Sequence, residues 1–383
     1  MLSLPRRFRK GSSDGLRAEW ELTVGEDVYT ISVVDGRCYA REGKSASPVA
    51  RLTADPSTWI AIDDGDLWGI DAVLARRLVV EGNLDLGARL QTLFTPHARR
   101  RGAFDLEQVE VDADGLKVST YVVGEGPAVL MLHGLGASKV SLMPVMPSLV
   151  HAGHRVIAPD LPGHGSSDKP RTEYTPRFYA RAVRRLLDAM EVREAAVLGN
   201  SLGGRVALEL AARSPGRVTG LVLLGPAVPG FRVRYLLGLT RVIPSRVGTL
   251  PFPVRERWMR VAIRRLLADP TRLPEAGIQA AAEEFIRTYR DPRARLAFVD
   301  SLRHILTEQP KPFWARMRRV RVPALVVWGE QDRLVPVRLG HRLASELPHA
   351  ELLVLPGVGH VPQFEAPEET AGAILRFLMD ISG

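Results

Sequence analysis

A six-residue turn, Gly199-Asn200-Ser201-Leu202-Gly203-Gly204, constrains this chain more than any other feature. It follows the apolar run Ala195 to Leu198 and precedes a helical pattern from Leu202 to Arg213, so a strand must turn sharply into a helix with a serine at the corner. A serine on so tight a turn takes a strained backbone conformation. Glycines two residues before and after it remove side chains that would collide with neighbouring backbone. The first amides of the helix then point at the serine, which makes the N–H of Leu202 a candidate oxyanion donor.

Such a corner needs a sheet to stand on, and the surrounding sequence supplies one. Strand patterns at 106–111, 116–122, 128–132, 155–158, 195–198, 218–224, 324–328 and 352–355 alternate with amphipathic stretches at 176–190, 202–213, 337–347 and 367–379. That rhythm describes an α/β domain with a mostly parallel sheet and helices on both faces. Three more loops leave strand ends. Leu132-His133-Gly134-Leu135-Gly136 offers the N–H of Leu135 as a second oxyanion donor, Asp332 follows the strand ending near Trp328, and His360 lies on the glycine-framed turn Gly357-Val358-Gly359. Taken singly, these read equally well as a loop, a helix cap and a structural histidine. Together they give the order Ser201, Asp332, His360 at the carboxyl ends of strands, where open α/β sheets place their ligand sites.

On these residues, residues 104–382 resemble the α/β-hydrolase superfamily, a resemblance extended by the turn Asp160-Leu161-Pro162-Gly163-His164-Gly165-Ser166-Ser167 and by Glu365-Ala366-Pro367. It implies a triad in which Ser201 attacks a carbonyl carbon, His360 moves the proton and Asp332 orients the ring. The spacing in the superfamily favours Asp332 over Glu330 as the acid. A serine in place of an aspartate at the nucleophile position disfavours haloalkane dehalogenase and epoxide hydrolase chemistry. The expected reaction is hydrolysis of a hydrophobic ester or thioester, with no cofactor and no metal. G-N-S-L-G-G and Leu221 to Pro226 are also similar to carbon–carbon bond hydrolases of the meta-cleavage-product type. Those carry an extra glycine-rich turn after the first His-Gly and an aromatic residue after the histidine, where this chain has Leu135-Gly136-Ala137-Ser138 and Val361. Acyl transfer and lipid binding without catalysis remain open alternatives.

About a hundred residues separate Gly225 from Ala324, where a crossover needs only about a dozen. A helical cap is expected over about 227–315. Its apolar residues Leu236, Leu237, Leu239, Val242 and Ile243, then Trp258, Met259, Val261, Ile263, Leu266 and Leu267, are interleaved with arginine. The chain's net charge of +9 comes from this region: residues 231–319 hold 19 Lys and Arg against 8 Asp and Glu, leaving 33 against 35 elsewhere. The basic cap either packs its apolar face on the sheet domain or contacts anionic membrane. No groove-reading motif accompanies the charge, so nucleic acid is not an expected partner.

Before the hydrolase-like part, short alternating strands around Trp20 to Val24, Val28 to Val34 and Cys38 to Ala40 frame an Asp35-Gly36 turn. A strand at 49–53 and helices at 55–62 and 69–78 follow, then Val79 to Asn83 and a helix through Leu90 and Phe94. Residues 16–95 resemble the lipid-carrier domains of the sterol carrier protein type 2 family, carried by Val34-Asp35-Gly36, Ala50-Arg51-Leu52-Thr53, the Trp59 to Leu67 segment and Leu78 to Leu84. The expected fold is thus an α/β-hydrolase domain with an inserted cap, preceded by a small α+β sterol-carrier-like domain. The boundaries are 1–97, a charged linker at 98–103, and 104–383. With 383 residues, 45% of them hydrophobic, the chain can bury two cores. A lone Cys38, and the absence of a signal-like segment or an apolar run of about 18 residues, point to a cytoplasmic protein. The substrate expected is a small hydrophobic acyl or lipid molecule, and the oligomeric state is left open.

Overall fold

The computed structural model describes residues 1–9, 16–64, 66–67, 69–94, 106–230 and 255–382. The chain divides into two compact units, one of residues 1–108 with 273–284 and one of residues 109–272 with 285–383. The linker expected at 98–103 and the apolar cap residues Leu236 to Ile243 lie outside the described residues.

The first unit holds a five-stranded sheet in the order β3-β2-β1-β4-β5, made of β1 (Ala18–Val24), β2 (Asp27–Val34), β3 (Arg37–Glu42), β4 (Ala50–Ala54) and β5 (Leu78–Gly82). The β2–β3 turn places Asp35 at φ 50° and Gly36 at φ 71°, the two left-handed residues of a hairpin turn whose twist matches its strands. Between β4 and β5 lie α1 (Pro56–Asp64) and α2 (Gly69–Leu74), and α3 (Leu84–Thr92) follows β5. The helix expected over 69–78 stops at Leu74. Arg76 turns left-handed at φ 57°, and Leu78 begins β5 opposite Ala54. Trp20, Leu22, Ile31, Val33, Leu52 and Leu93 form the core. The Trp20 and Trp59 indoles donate to the carbonyls of Leu86 and Thr23, both at 2.8 Å, so neither is buried unsatisfied.

The second unit is built on eight strands in the order β13-β12-β11-β10-β8-β9-β7-β6. In chain order its elements are β6 (Glu107–Asp112), β7 (Lys117–Val123), β8 (Ala128–Leu132), α4 (Met146–His151), β9 (Arg155–Pro159), α5 (Pro176–Ala189), β10 (Ala195–Asn200), α6 (Leu202–Arg213) and β11 (Val218–Leu224). Four cap helices follow along the chain: α7 (Glu256–Leu266), α8 (Glu275–Thr288), whose residues up to Glu284 fall in the first unit, α9 (Pro292–Thr307) and α10 (Pro310–Met317). The chain returns through β12 (Ala324–Gly329), α11 (Arg338–Glu346), β13 (Ala350–Leu355), α12 (Pro362–Glu365) and α13 (Pro367–Asp380). Neighbours from β9 through β13 pair in parallel, and β7 runs antiparallel to β9. β10 and β12 are buried along their whole length, which is why they read as continuous apolar runs without alternation. α9 is fastened to the sheet domain: the Tyr174 N–H donates to Asp300 Oδ2 at 2.7 Å, and the Tyr179 and Ser301 hydroxyls meet at 2.7 Å.

Candidate active site

Ser201 stands between β10 and α6 at φ 51° and ψ −110°. A methyl group on Gly203 would lie 2.0 Å from the Leu132 carbonyl oxygen, and one on Gly199 would lie 2.4 Å from the Gly203 backbone, so both positions admit only hydrogen. The Ser201 N–H donates to the Leu224 carbonyl at 3.0 Å, and its own carbonyl accepts from Arg205 and Ala227 at 3.0 and 2.9 Å. Its hydroxyl caps nothing in α6. Leu202 is the first residue of that helix, where backbone N–H groups have no acceptor within the helix.

Asp332 and His360 come together after β12 and β13. His360 Nδ1 lies 2.7 Å from Asp332 Oδ2, with both side chains almost wholly buried. Asp332 Oδ1 accepts from the Leu334 and Val335 amides, each at 2.8 Å, so the carboxylate is fixed from both sides. With Nδ1–H given to Asp332, the lone pair of the neutral ring falls on Nε2, which is buried and has no hydrogen-bond partner among the described residues. Glu330, the alternative acid, is exposed.

The serine and histidine loops meet around the end of β11. Asn200 Nδ2 donates to the Leu224 carbonyl at 3.0 Å and to the His360 carbonyl at 3.3 Å. Gly225, at φ 48°, lies so close that a Cβ there would sit 3.4 Å from Asp332 Oδ2 and 3.5 Å from His360 Nδ1. The loop carrying Leu135 lies on the other side, since a Cβ on Gly134 would come within 3.5 Å of Ser201 Cβ. The loops after β8, β10, β12 and β13, which carry Leu135, Ser201, Asp332 and His360, thus approach one another at the carboxyl edge of the sheet.

Other contributors carried weaker sequence signals. His133 donates from Nδ1 to the Gly134 carbonyl at 2.8 Å and accepts the Leu161 N–H on Nε2 at 2.9 Å, so it is a neutral post under the Leu135 loop. Its burial holds its pKa down. Beside it, Lys139 Nζ and Asp160 Oδ2 form a buried ion pair at 2.8 Å, and Asp160 also accepts the Lys139 and Ser166 amides. Glu365 Oε1 accepts the Gly359 N–H and Oε2 the Ala268 N–H, at 2.8 and 2.7 Å. Burial raises its pKa. His360 N–H donates to the Leu266 carbonyl at 2.7 Å, so the histidine loop is tied to the end of α7. Above the Leu135 loop, Phe285, Tyr289 and Phe298 stack with centroids 4.3 to 5.6 Å apart. Phe285 and Phe298 come within 3.1 and 3.3 Å of a Cβ position on Gly136. Periodicity marks such rings as apolar without saying which loop they cover. Among the described residues no cluster of His, Cys, Asp or Glu is arranged to hold a metal ion.

The alpha/beta hydrolase fold family matches residues 127–367, and the SCP-2 sterol transfer family matches residues 12–95. The chain is 31% identical over 271 residues to a 2-hydroxy-6-oxononadienedioate/2-hydroxy-6-oxononatrienedioate hydrolase of Paraburkholderia phymatum, covering 69% of this chain and 91% of the relative. Among solved structures, the 2-hydroxy-6-oxo-6-phenylhexa-2,4-dienoate hydrolase of Rhodococcus sp. strain RHA1 aligns with TM-score 0.62 and 25% identity over 72% of this chain and 99% of its own. A putative lipase of Acinetobacter baumannii shares the fold at TM-score 0.62 and 24% identity, over 72% of this chain and 92% of that one. The chain belongs to the alpha/beta hydrolase fold family and carries an SCP-2 sterol transfer domain ahead of the hydrolase domain.

Proposed function

We propose that the protein is a serine hydrolase that cleaves a hydrophobic carboxylic ester or thioester through Ser201, His360 and Asp332. The observation that carries this reading is the buried Asp332–His360 bond, which leaves a basic Nε2 at the loop edge where Ser201 is held in a left-handed turn. Ser201 Oγ attacks the carbonyl carbon while His360 Nε2 takes its proton. The imidazolium formed is stabilised by Asp332, and the Leu135 and Leu202 amides receive the oxyanion. Collapse expels the alcohol or thiol, protonated by His360. Water, deprotonated by the same nitrogen, then releases the acid from the acyl-enzyme. The Phe285, Tyr289 and Phe298 rings beside the Leu135 loop suit an apolar acyl group. An SCP-2 domain earlier in the chain suits a lipid-like substrate.

A fluorophosphonate probe read by intact mass tests this first. Wild type is expected to gain one adduct and Ser201→Ala none, with turnover of acyl esters lowered by about 10⁴ or more. Well-folded wild type that takes no adduct would overturn the reading.

A second reading has its own support. Identity of 31% to a dienedioate hydrolase favours carbon–carbon bond cleavage of a vinylogous diketone at the same serine. Parallel assays of such a diketone and of acyl esters of rising chain length separate the two, since the preferred class should win by orders of magnitude in kcat/KM.

A further inference from the structure

Helix α7 has two apolar faces and packs only one of them. Met259, Ile263 and Leu266 are half-buried, whereas no residue of the helix is fully buried. On the opposite side Trp258 is 62% and Val261 40% exposed, and Ala262 and Arg265 are exposed beside them. The spacing i, i+3, i+4, i+7 puts these four on one stripe. Exposed Arg257 and Arg264 run along its edge, and the Arg257 guanidinium lies 5.3 Å from the Trp258 ring centre. The single acid of α7, Glu256, reaches Arg260 on another side of the helix.

An apolar stripe bordered by arginines matches one environment in particular. The indole and valine gain by leaving water, while the exposed Arg257 and Arg265 guanidinium groups gain from an anion within a side chain's length of them. A bilayer surface carrying anionic lipid offers both at that separation, with acyl chains just beneath phosphates. A nucleic acid backbone would engage the arginines and leave Val261 and Ala262 without a partner.

We propose that α7 is a docking element that lies along the surface of an anionic bilayer, with Trp258 and Val261 at the acyl boundary and Arg257 and Arg265 on lipid phosphates. The end of this helix holds the His360 loop through the Leu266 carbonyl, so docking sets that loop close to the lipid. The proposal is independent of the hydrolase reading, because binding is measured equally well on Ser201→Ala protein.

The test is flotation of the full-length chain with phosphatidylcholine vesicles, plain or containing phosphatidylglycerol, at low salt and at about 0.5 M salt, where surface attraction is screened within a few ångströms. Binding is expected to anionic vesicles only, and to be lost at high salt. Replacing two arginines together, Arg257→Gln and Arg265→Gln, should weaken it by about 25-fold, at roughly fivefold per cation. The pair Trp258→Ser and Val261→Ser should weaken it by about tenfold. All substituted side chains are exposed, and thermal melting matched to wild type confirms the fold. Equal binding to neutral vesicles, no binding to anionic ones, or wild-type binding by either variant would overturn the proposal. So would arginine-dependent capture of RNA without vesicle binding.

Discussion

Ser201 holds φ 51° with a side chain attached, a conformation that costs about 1–3 kcal/mol and persists only because its surroundings impose it. They do so through the Leu224, Arg205 and Ala227 backbone bonds and through glycines that leave no room for another path. Asp332 is fixed in the same manner, and its single bond to Nδ1 decides which nitrogen of the neutral His360 ring carries the lone pair. Asp332→Asn keeps the shape but lets the amide donate to Nδ1 and so favours the other tautomer. We expect kcat to fall by about 10⁴ with KM little changed, measured on the best acyl ester. His164 sets a different dependence. It is fully buried, donates from Nδ1 to Pro162, and burial holds its pKa at about 3. His133 is held down in the same direction. Both are neutral in the fold and protonate readily when unfolded, so their contribution is intact above about pH 6.5 and is lost as pH falls towards the folded values. The raised Glu365 works the other way, gaining as pH drops through its folded value, but it is one group against two. The melting temperature should therefore fall between pH 7 and pH 5. His164→Gln should flatten that slope; an unchanged slope would remove His164 as its source.

At the scale of elements, the loop bearing His360 is held by the helix after it as much as by β13 before it. The Glu365 side chain reaches back to the Gly359 N–H and outward to the Ala268 N–H just past α7, and Arg272 donates to the Glu365 carbonyl at 3.1 Å. One carboxylate thus ties α12, the histidine turn and a cap segment. Glu365→Ala would leave buried donors unmatched, at about 1–3 kcal/mol each. We expect a lower melting temperature and reduced kcat. Glu365→Gln, which keeps an oxygen for one donor, should recover part of both. Equal losses in the two variants would show that the acceptor geometry is not what matters.

Across the second unit, a buried charge network joins the serine's helix to the returning cap. Arg205, one turn after Ser201, gives Glu308 two bonds at 2.8 and 2.5 Å and Glu209 one at 3.1 Å, while Arg316 reaches Glu308 at 2.9 Å. The Arg205 guanidinium also lies over the Phe313 ring. Glu308→Ala would strip a buried guanidinium of its bidentate partner, and we expect unfolding free energy to drop by about 3–5 kcal/mol in denaturant titration. A loss under about 1 kcal/mol would mean that Glu209 alone suffices. Among the described residues no helix is long and apolar enough to cross a membrane.

The strand-turn-helix at Ser201, the order of strands and helices, the SCP-2 and hydrolase families and the convergence of Asp332 and His360 were all legible in the sequence. Each rests on local chemistry: apolar period, glycine at a left-handed turn, polar residues at strand ends. The early end of α2 has no signal in the sequence because Ile70, Val73, Leu74 and Leu78 keep a helical period that Arg76 interrupts without a glycine to announce it. Asn200 as the staple to His360, Glu365 as the clasp on the segment just past α7, and Glu308 as the partner of Arg205 were decided by tertiary structure alone. Their partners lie 160, 97 and 103 residues away, and pairings at that separation leave no period or spacing in the chain. Which face of α7 is covered depends in the same way on packing, because both its faces carry apolar residues and only the folded chain chooses between them.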